Sequence, residues 1–316
     1  MRTTRSNVFL SLVPAMVIAA ALLFCITAAY AAEPAADGGV TASGASNGAG
    51  PIGLIPQQRG FNASLVTASE HDSSNGWSNL ETPGIAYRFN RHFSVNAAVP
   101  VYAYVNVLQN TGTKAKPVYS QRVKTGVLGD TALAAQFVTS GSLSYMATFT
   151  LGLPTGNSNF GLGAGKPTVD LNNHFEKDFG NFTPDIELGI GDSSALISSR
   201  IRKSYTAVGA IAHFQAGTSY SLPANMSLEI DAYEQLPVAP STIYSTTGKG
   251  AKRVTKALGP SASEDNGFLT SLDIPVQRHI TLSGEYSRSL RDHDDIAGFS
   301  LTFLLVAPAT EEELLR

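Results

Sequence analysis

The stretch from His92 to Val107 reads HFSVNAAVPVYAYVNV, and it decides the fold. Apolar residues occupy every second position of this stretch, and more polar or smaller residues stand between them. Side chains alternate between two faces in a β-strand, whereas an α-helix brings every third or fourth residue to one face. The stretch therefore predicts a β-strand with one apolar face.

The same period of two recurs along the rest of the chain. Residues 182–191, FTPDIELGIG, place Phe, Pro, Ile and Leu on one face and Thr, Asp, Glu and Gly on the other. Strands of about ten residues are what a tilted crossing of a lipid bilayer needs. We predict twelve such strands: Phe61–Ala68, Glu81–Phe89, Phe93–Val107, Gly126–Thr139, Leu143–Pro154, Thr168–Phe179, Phe182–Gly191, Ala207–Leu222, Met226–Glu234, Gly267–Val276, Ile280–Arg288 and Ile296–Val306.

The connections between these strands alternate in length. The tight ones are 90–92, 140–142, 180–181, 223–225 and 277–279, and the long polar ones include 110–125, 155–167, 192–206 and 237–266. Short turns at one rim and long loops at the other are typical of outer-membrane barrels. We therefore predict an all-β fold, a 12-stranded antiparallel transmembrane β-barrel with short periplasmic turns and long extracellular loops. Trp77 is expected in the first long loop, at the outer rim.

Two other folds explain these patterns less well. A secreted β-sandwich also has alternating strands, but its turns do not sort into short and long. A bundle of membrane helices conflicts with the mean hydropathy of +0.02. The charge-free run 204–228 contains Gly, Gln, Ser and Pro between its apolar residues, which makes it a poor helix.

The ends of the chain predict export and a flexible leader. Arg2 and Arg5 precede an apolar stretch, and an Ala-x-Ala cleavage site ends at Ala31, so residues 1–31 are expected to be a signal peptide. Residues 32–59 are rich in Ala, Gly, Ser and Pro and predict a leader without fixed structure. The barrel is expected over 60–306, with a short C-terminal tail over 307–316. We therefore predict a location in the bacterial outer membrane.

The cost of removing charge from water decides which face of each strand is wet. A carboxylate facing hydrocarbon is strongly unfavourable, so the apolar row of each strand should face lipid and the polar row should face the lumen. The residues that this rule predicts to line the lumen are Arg88, Asp130, Asp170, His174, Glu176, Asp185, Glu187, His213, Glu229, Asp231, Asp273 and Glu285.

The predicted long loops carry the opposite sign of charge. Their basic residues include Lys114, Lys116, Arg122, Lys124, Arg200, Arg202, Lys203, Lys249, Lys252, Arg253, Lys256 and Arg291. One interpretation is an acidic passage beneath basic loops that contact lipopolysaccharide phosphates. The other is that lumen residues bond to one another and the loops are charged because they are solvated. Both stay open.

Two short motifs carry a resemblance to a known family. Gly126-Val-Leu-Gly129-Asp130 is followed, after a hairpin, by Leu153-Pro154-Thr155-Gly156 and a Gly-rich segment. In this order the motifs resemble the outer-membrane transporter-like family of the phenol-degradation meta-pathway. The resemblance implies a barrel that admits small, often aromatic or hydrophobic molecules. Taken alone, the motifs either end strands and assist packing, or place Asp130 and loop 155–167 along the passage.

The sequence contains few other candidate catalytic or metal-binding motifs. His174 has Glu176 rather than a serine two residues on, so it lacks the His–Ser pattern of membrane phospholipases. We predict no catalytic residue, metal, cofactor or nucleic-acid partner. The predicted function is a passive channel or uptake protein for small solutes, with membrane lipid, lipopolysaccharide and the solute as partners. The alternatives are a structural or surface-binding barrel that does not transport and, less favoured, an outer-membrane enzyme.

Overall fold

The computed structural model describes residues 59–73, 76–110, 119–157, 160, 162–191, 210–238, 243–247, 254–258, 264–277, 279–291 and 293–305. The predicted signal peptide, almost all of the leader, the C-terminal tail and much of the long loops lie outside these residues. Among the described residues, no helix is long and apolar enough to cross a membrane.

Seventeen strands make up the described structure, and fifteen of them form one sheet. The strands are β1 Gly60–Asp72, β2 Gly76–Arg88, β3 Phe93–Ala98, β4 Val101–Asn110, β5 Tyr119–Lys124, β6 Val127–Leu128, β7 Thr131–Thr139, β8 Ser144–Leu153, β9 Thr168–Glu176, β10 Phe182–Gly191, β11 Ile211–Ser221, β12 Ser227–Pro237, β13 Ile243–Thr247, β14 Val254–Leu258, β15 Asp265–Gln277, β16 Ile280–Ser289 and β17 Asp295–Leu304. β13 and β14 pair only with each other.

The large sheet closes into a barrel because β1 pairs with both β2 and β17. All of its pairings are antiparallel. β3 and β4 form the third barrel strand, interrupted at Pro100, and β5, β6 and β7 form the fourth. Pro100 has no N–H for the ladder, although its carbonyl accepts a bond from the Gly129 N–H at 2.8 Å. Counted in this way the barrel has twelve strands, which confirms the predicted fold.

The two faces of the barrel wall differ as the period-two pattern predicts. On β10, the Ile186 side chain is 51% exposed and Ile190 is also exposed. Asp185, which directly precedes Ile186 in the strand, is buried. In a closed barrel the exposed face is the outside, because side chains crowd one another within. The outside of β10 is therefore apolar and its inside is polar.

Aromatic side chains cluster on the outside near the short turns. Phe61 contacts Tyr87, Tyr87 contacts Phe89, and Phe89 contacts Phe93, with ring centroids 4.8–5.8 Å apart. Aromatic residues occupy this position where a barrel wall meets the membrane interface. We call this end of the barrel the short-turn rim and the opposite end the long-loop rim.

Several strands are longer than the sequence predicts. β1 and β2 meet at residues 73–75, so Trp77 lies in β2 opposite His71 rather than in a long loop. Their rings pack edge to face, with centroids 5.0 Å apart. β5 occupies part of the predicted loop 110–125, which places Arg122 and Lys124 in a strand. The connection 290–294 is also short, so the long-loop rim carries two short turns as well as long loops.

The predicted third strand also changes face along its length. The register between β2 and β4 shifts at Asn79 and Leu80, which is the mark of a β-bulge. Beyond the shift, Val105 and Val107 are buried inside the barrel, not exposed on the outside as the single alternation predicts. One extra residue in a strand reverses the direction of every side chain that follows it.

Candidate functional site

Most of the predicted lumen residues lie on the inward rows of neighbouring strands. β9 carries Asp170, His174 and Glu176, β10 carries Asp185 and Glu187, β11 carries His213, β12 carries Glu229 and Asp231, β15 carries Asp273 and β16 carries Glu285. Five acidic residues from β9, β10 and β12 form what we call the acidic wall: Glu176, Asp185, Glu187, Glu229 and Asp231.

One half of the acidic wall surrounds His174. Glu176 stands opposite Asp185 in the ladder, and His174 stands opposite Glu187. The His174 Nε2 lies 3.6 Å from the Glu176 Oε2, and its Nδ1 lies 3.8 Å from the Glu187 Oε2. Both ring nitrogens therefore face carboxylates, so His174 has no nitrogen left to activate a serine.

The other half of the acidic wall lies on β12. The Glu229 Oε2 accepts a hydrogen bond from the Ser271 Oγ at 3.2 Å, and its backbone carbonyl accepts one from Thr270. Asp231 is only 1% exposed. It stands next to Gly217 of β11, and Gly217 in turn stands next to Asp185.

Glycines on the inward rows make room for these side chains. A Cβ atom built at Gly189 would collide with the His213 imidazole, and one built at Gly217 would collide with the Asp231 carboxylate. The polar side chain of one strand thus lies flat over the glycine of the next. His213 uses this space to reach Asp170, with its Nε2 2.9 Å from the Asp170 Oδ1.

A further buried network was missed by the sequence analysis. The Asp265 carboxylate accepts hydrogen bonds from the Tyr233 hydroxyl at 3.1 Å and the Ser289 hydroxyl at 2.5 Å. The Tyr233 ring lies over Gly267, again in the space that a Cβ would fill. Asp265 falls at the end of a predicted loop, so only the strand register could have shown that it faces inward.

Arg88, Asp273 and Glu285 are predicted lumen residues that are not members of the acidic wall. Arg88 is at the short-turn rim, where its guanidinium donates to the carbonyls of Asn90 at 3.1 Å and Arg91 at 2.8 Å. Asp273 stands between Ser227 and Ser283 near the same rim. Glu285 stands between Ser271 and Gly298 on β16.

Asp130 and Thr155 join the motif that ends at Asp130 to the motif at residues 153–156. The Asp130 carboxylate accepts the backbone N–H of Gly156 at 2.9 Å and of Ala164 at 2.6 Å. The Thr155 hydroxyl lies 2.9 Å from the Gly129 carbonyl and accepts the Thr131 N–H at 2.8 Å.

These bonds hold the connection 154–167, which we call the inner loop, against the barrel wall. Gly156 and Gly163 pack against Asp130 so closely that a Cβ at either position would overlap a neighbour. Leu162 of the inner loop is 5% exposed and packs with Val105 and Val107, with Phe160 and Tyr102 at the edge of this cluster. The inner loop therefore covers an apolar patch inside the barrel near the long-loop rim. Leu153 ends β8, and Pro154 is the first residue of the inner loop.

The chain has a barrel fold shared with known outer-membrane proteins. An outer membrane channel from Pseudomonas putida F1 matches with a TM-score of 0.52 at 14% identity, covering 81% of this chain and 98% of that chain. The KdgM porin in complex with disordered oligogalacturonate has a TM-score of 0.44 at 10% identity, covering 76% and 98%. Outer membrane phospholipase A from Escherichia coli has a TM-score of 0.37 at 10% identity, covering 80% and 92%.

Comparisons that use the sequence alone find no match. No protein-family model matches the chain. No curated protein matches it either. The resemblance to the phenol meta-pathway family, carried by Gly129, Asp130 and residues 153–156, therefore stays a prediction.

Proposed function

We propose that the chain is an outer-membrane channel through which small solutes diffuse without a chemical step. One observation carries the proposal: a closed barrel presents apolar side chains on its outside and charged or hydrogen-bonding side chains on its inside. A closed barrel satisfies its own backbone hydrogen bonds, so such an exterior is stable in lipid. A polar interior lowers the cost of bringing a hydrated solute into the barrel.

The proposed path has two chemically different parts. Near the long-loop rim the inner loop buries the apolar patch of Val105, Val107 and Leu162, and the acidic wall lies deeper in the barrel. Small aromatic or hydrophobic solutes, which the family resemblance implies, would contact this patch only where the inner loop moves away from it. The inner loop narrows this part of the path because Asp130 and Thr155 fasten it inside.

The proposed orientation places the short-turn rim in the periplasm and the long-loop rim outside the cell. Lipid would then surround the apolar exterior, and the basic residues of the long loops would face lipopolysaccharide phosphates. Most of those basic residues lie outside the described part of the chain, so this contact rests on the sequence.

A second candidate function is a structural or surface-binding barrel that is closed to flow. It is favoured by the dense packing inside, where Gln136, Asp231 and Gln235 have almost no exposed surface. A twelve-stranded barrel encloses more room than the eight strands that side chains fill and less than an open porin. An enzymatic function is less supported, because His174 is held between two glutamates.

Conductance in planar lipid bilayers tests the proposal. We expect the purified protein to produce discrete current steps, and to produce larger steps after Leu162→Ala opens the apolar patch. A folded protein that gives no current steps in either form would contradict a channel and support the closed barrel. A phospholipid-hydrolysis assay on the same sample tests the enzymatic alternative, for which we expect no activity.

A further inference from the structure

Two aspartates of the acidic wall stand on either side of a glycine in the ladder. In the ladder, Gly217 stands directly between Asp185 on one side and Asp231 on the other. Two strand spacings separate the Cα atoms of the two aspartates by roughly 9.6 Å. The Asp231 carboxylate occupies the space over Gly217 that a side chain would otherwise fill. It therefore leans toward Asp185 and shortens the distance between the two charges.

Both aspartates lack the partners that a buried carboxylate needs. Asp231 is 1% exposed, and neither of its carboxylate oxygens receives a hydrogen bond of good geometry, although the Gln215 and Glu229 side chains lie beside it. The Oδ2 of Asp185 is buried and has no donor either. Within the described structure, neither aspartate forms an ion pair with lysine or arginine. A buried carboxylate is stable only when a donor or a counter-ion compensates for the lost water.

The neighbouring groups do not supply that compensation. Glu229 is bonded to Ser271, and His174 is engaged by Glu176 and Glu187. Even a charged His174 would balance only one of the five carboxylates in the acidic wall. Five carboxyl groups against one imidazole leave the region short of positive charge, which either bound protons or cations from the path of a solute can supply.

The chemistry of this pair favours a monovalent cation. Divalent metal sites in proteins use at least three protein ligands at close range or several bound waters. Among the described residues, no group of three or more His, Cys, Asp or Glu side chains has the geometry to hold a metal ion. Two carboxylates that converge over a glycine instead suit a single positive charge, either an alkali metal ion or a small primary ammonium.

We infer that Asp185 and Asp231, on either side of Gly217, form a cation-binding site that makes the lumen selective for monovalent cations. This inference rests on the proposed channel function and specifies its preferred ions. The glycine is part of the site because any side chain there would push the Asp231 carboxylate away from Asp185.

Reversal potentials across planar bilayers test the inference where the barrel conducts. Under a KCl gradient we expect potassium to be about tenfold more permeant than chloride, at the lower end of what a charge-lined cleft achieves. The double variant Asp185→Asn, Asp231→Asn should lose most of this preference. Glu234→Gln is the matched control, because it removes an acid of the same strand on the outward row and should leave selectivity unchanged. A conducting barrel without cation preference, or one whose preference survives the double variant, would overturn the site and leave the channel intact.

A stability measurement tests the site without requiring conduction. We expect the urea midpoint of the protein in lipid vesicles to rise when KCl or methylammonium chloride replaces N-methyl-D-glucamine chloride, whose cation is too large for the site. A greater rise with methylammonium would identify a small primary ammonium as the preferred ligand. Equal midpoints in the three salts, or the same rise in the double variant, would show that no cation binds there. Absence of current together with a cation-dependent midpoint would refute the channel but retain the site.

Discussion

Replacing Ile186 by arginine would place a charge at the middle of the outward row of β10. Ile186 lies half way along Phe182–Gly191, and Ile190 lies four residues closer to the long-loop rim. With a rise of about 3.4 Å per residue and a tilt of about 40°, these positions differ in height by roughly 10 Å. The apolar band of such a barrel is about 25 Å tall, so Ile190 lies near its edge.

The expected cost follows from this difference in depth. Ile186→Arg should lower the free energy of unfolding by about 3 kcal/mol, and Ile190→Arg by about 1 kcal/mol or less. The inward control Glu187→Gln should cost less than about 1 kcal/mol, since it exchanges one partner of His174 for a neutral one. Reversible urea unfolding in phospholipid vesicles measures all three. Equal losses for the two arginine variants, or a larger loss for Glu187→Gln, would refute the assignment of faces and depth.

Three further predictions concern the glycines and the inner loop. Gly217→Val should destabilise the barrel by about 1–3 kcal/mol in the same urea titration, because the added side chain displaces Asp231. The control Gly284→Ala should be close to neutral, because the space around Gly284 is open. Asp130→Ala should release the inner loop, so that the Gly156 and Ala164 amides exchange with deuterium much faster than in the parent; unchanged exchange would show that other contacts hold the loop. Thr155→Val should cost about 1 kcal/mol by removing the bonds to the Thr131 N–H and the Gly129 carbonyl, which water replaces in part, and a Thr155→Ser variant should retain most of the stability.

The strands could be predicted from the sequence wherever one face of the wall is apolar and the other is polar. In β10 the apolar exterior and the polar interior require a strict alternation, and residues 182–191 show it. Toward the long-loop rim polar residues occur on both faces of a strand, and the alternation is lost. β5, with the sequence YSQRVK, and the polar end of β1 extend into this region, which explains why they were predicted as loops.

The details of the interior depend on register, which a single sequence does not display. The inward direction of Val105 and Val107 follows from the bulge opposite Asn79 and Leu80, and nothing in the local sequence marks that bulge. The bonds from Asp130 to the inner loop join residues 26 and 34 positions apart. The motifs could be recognised from the sequence, but their joint role required the fold.

Spin labels along β10 test the central claim most directly. The chain has a single cysteine, Cys25, within the predicted signal peptide, so single cysteines can be introduced from Phe182 to Gly191 without interference. In lipid vesicles we predict that labels at even positions collide with oxygen dissolved in hydrocarbon and that labels at odd positions are shielded from it. Oxygen accessibility that does not alternate along β10, or that is highest at odd positions, would contradict a barrel whose apolar exterior is in lipid.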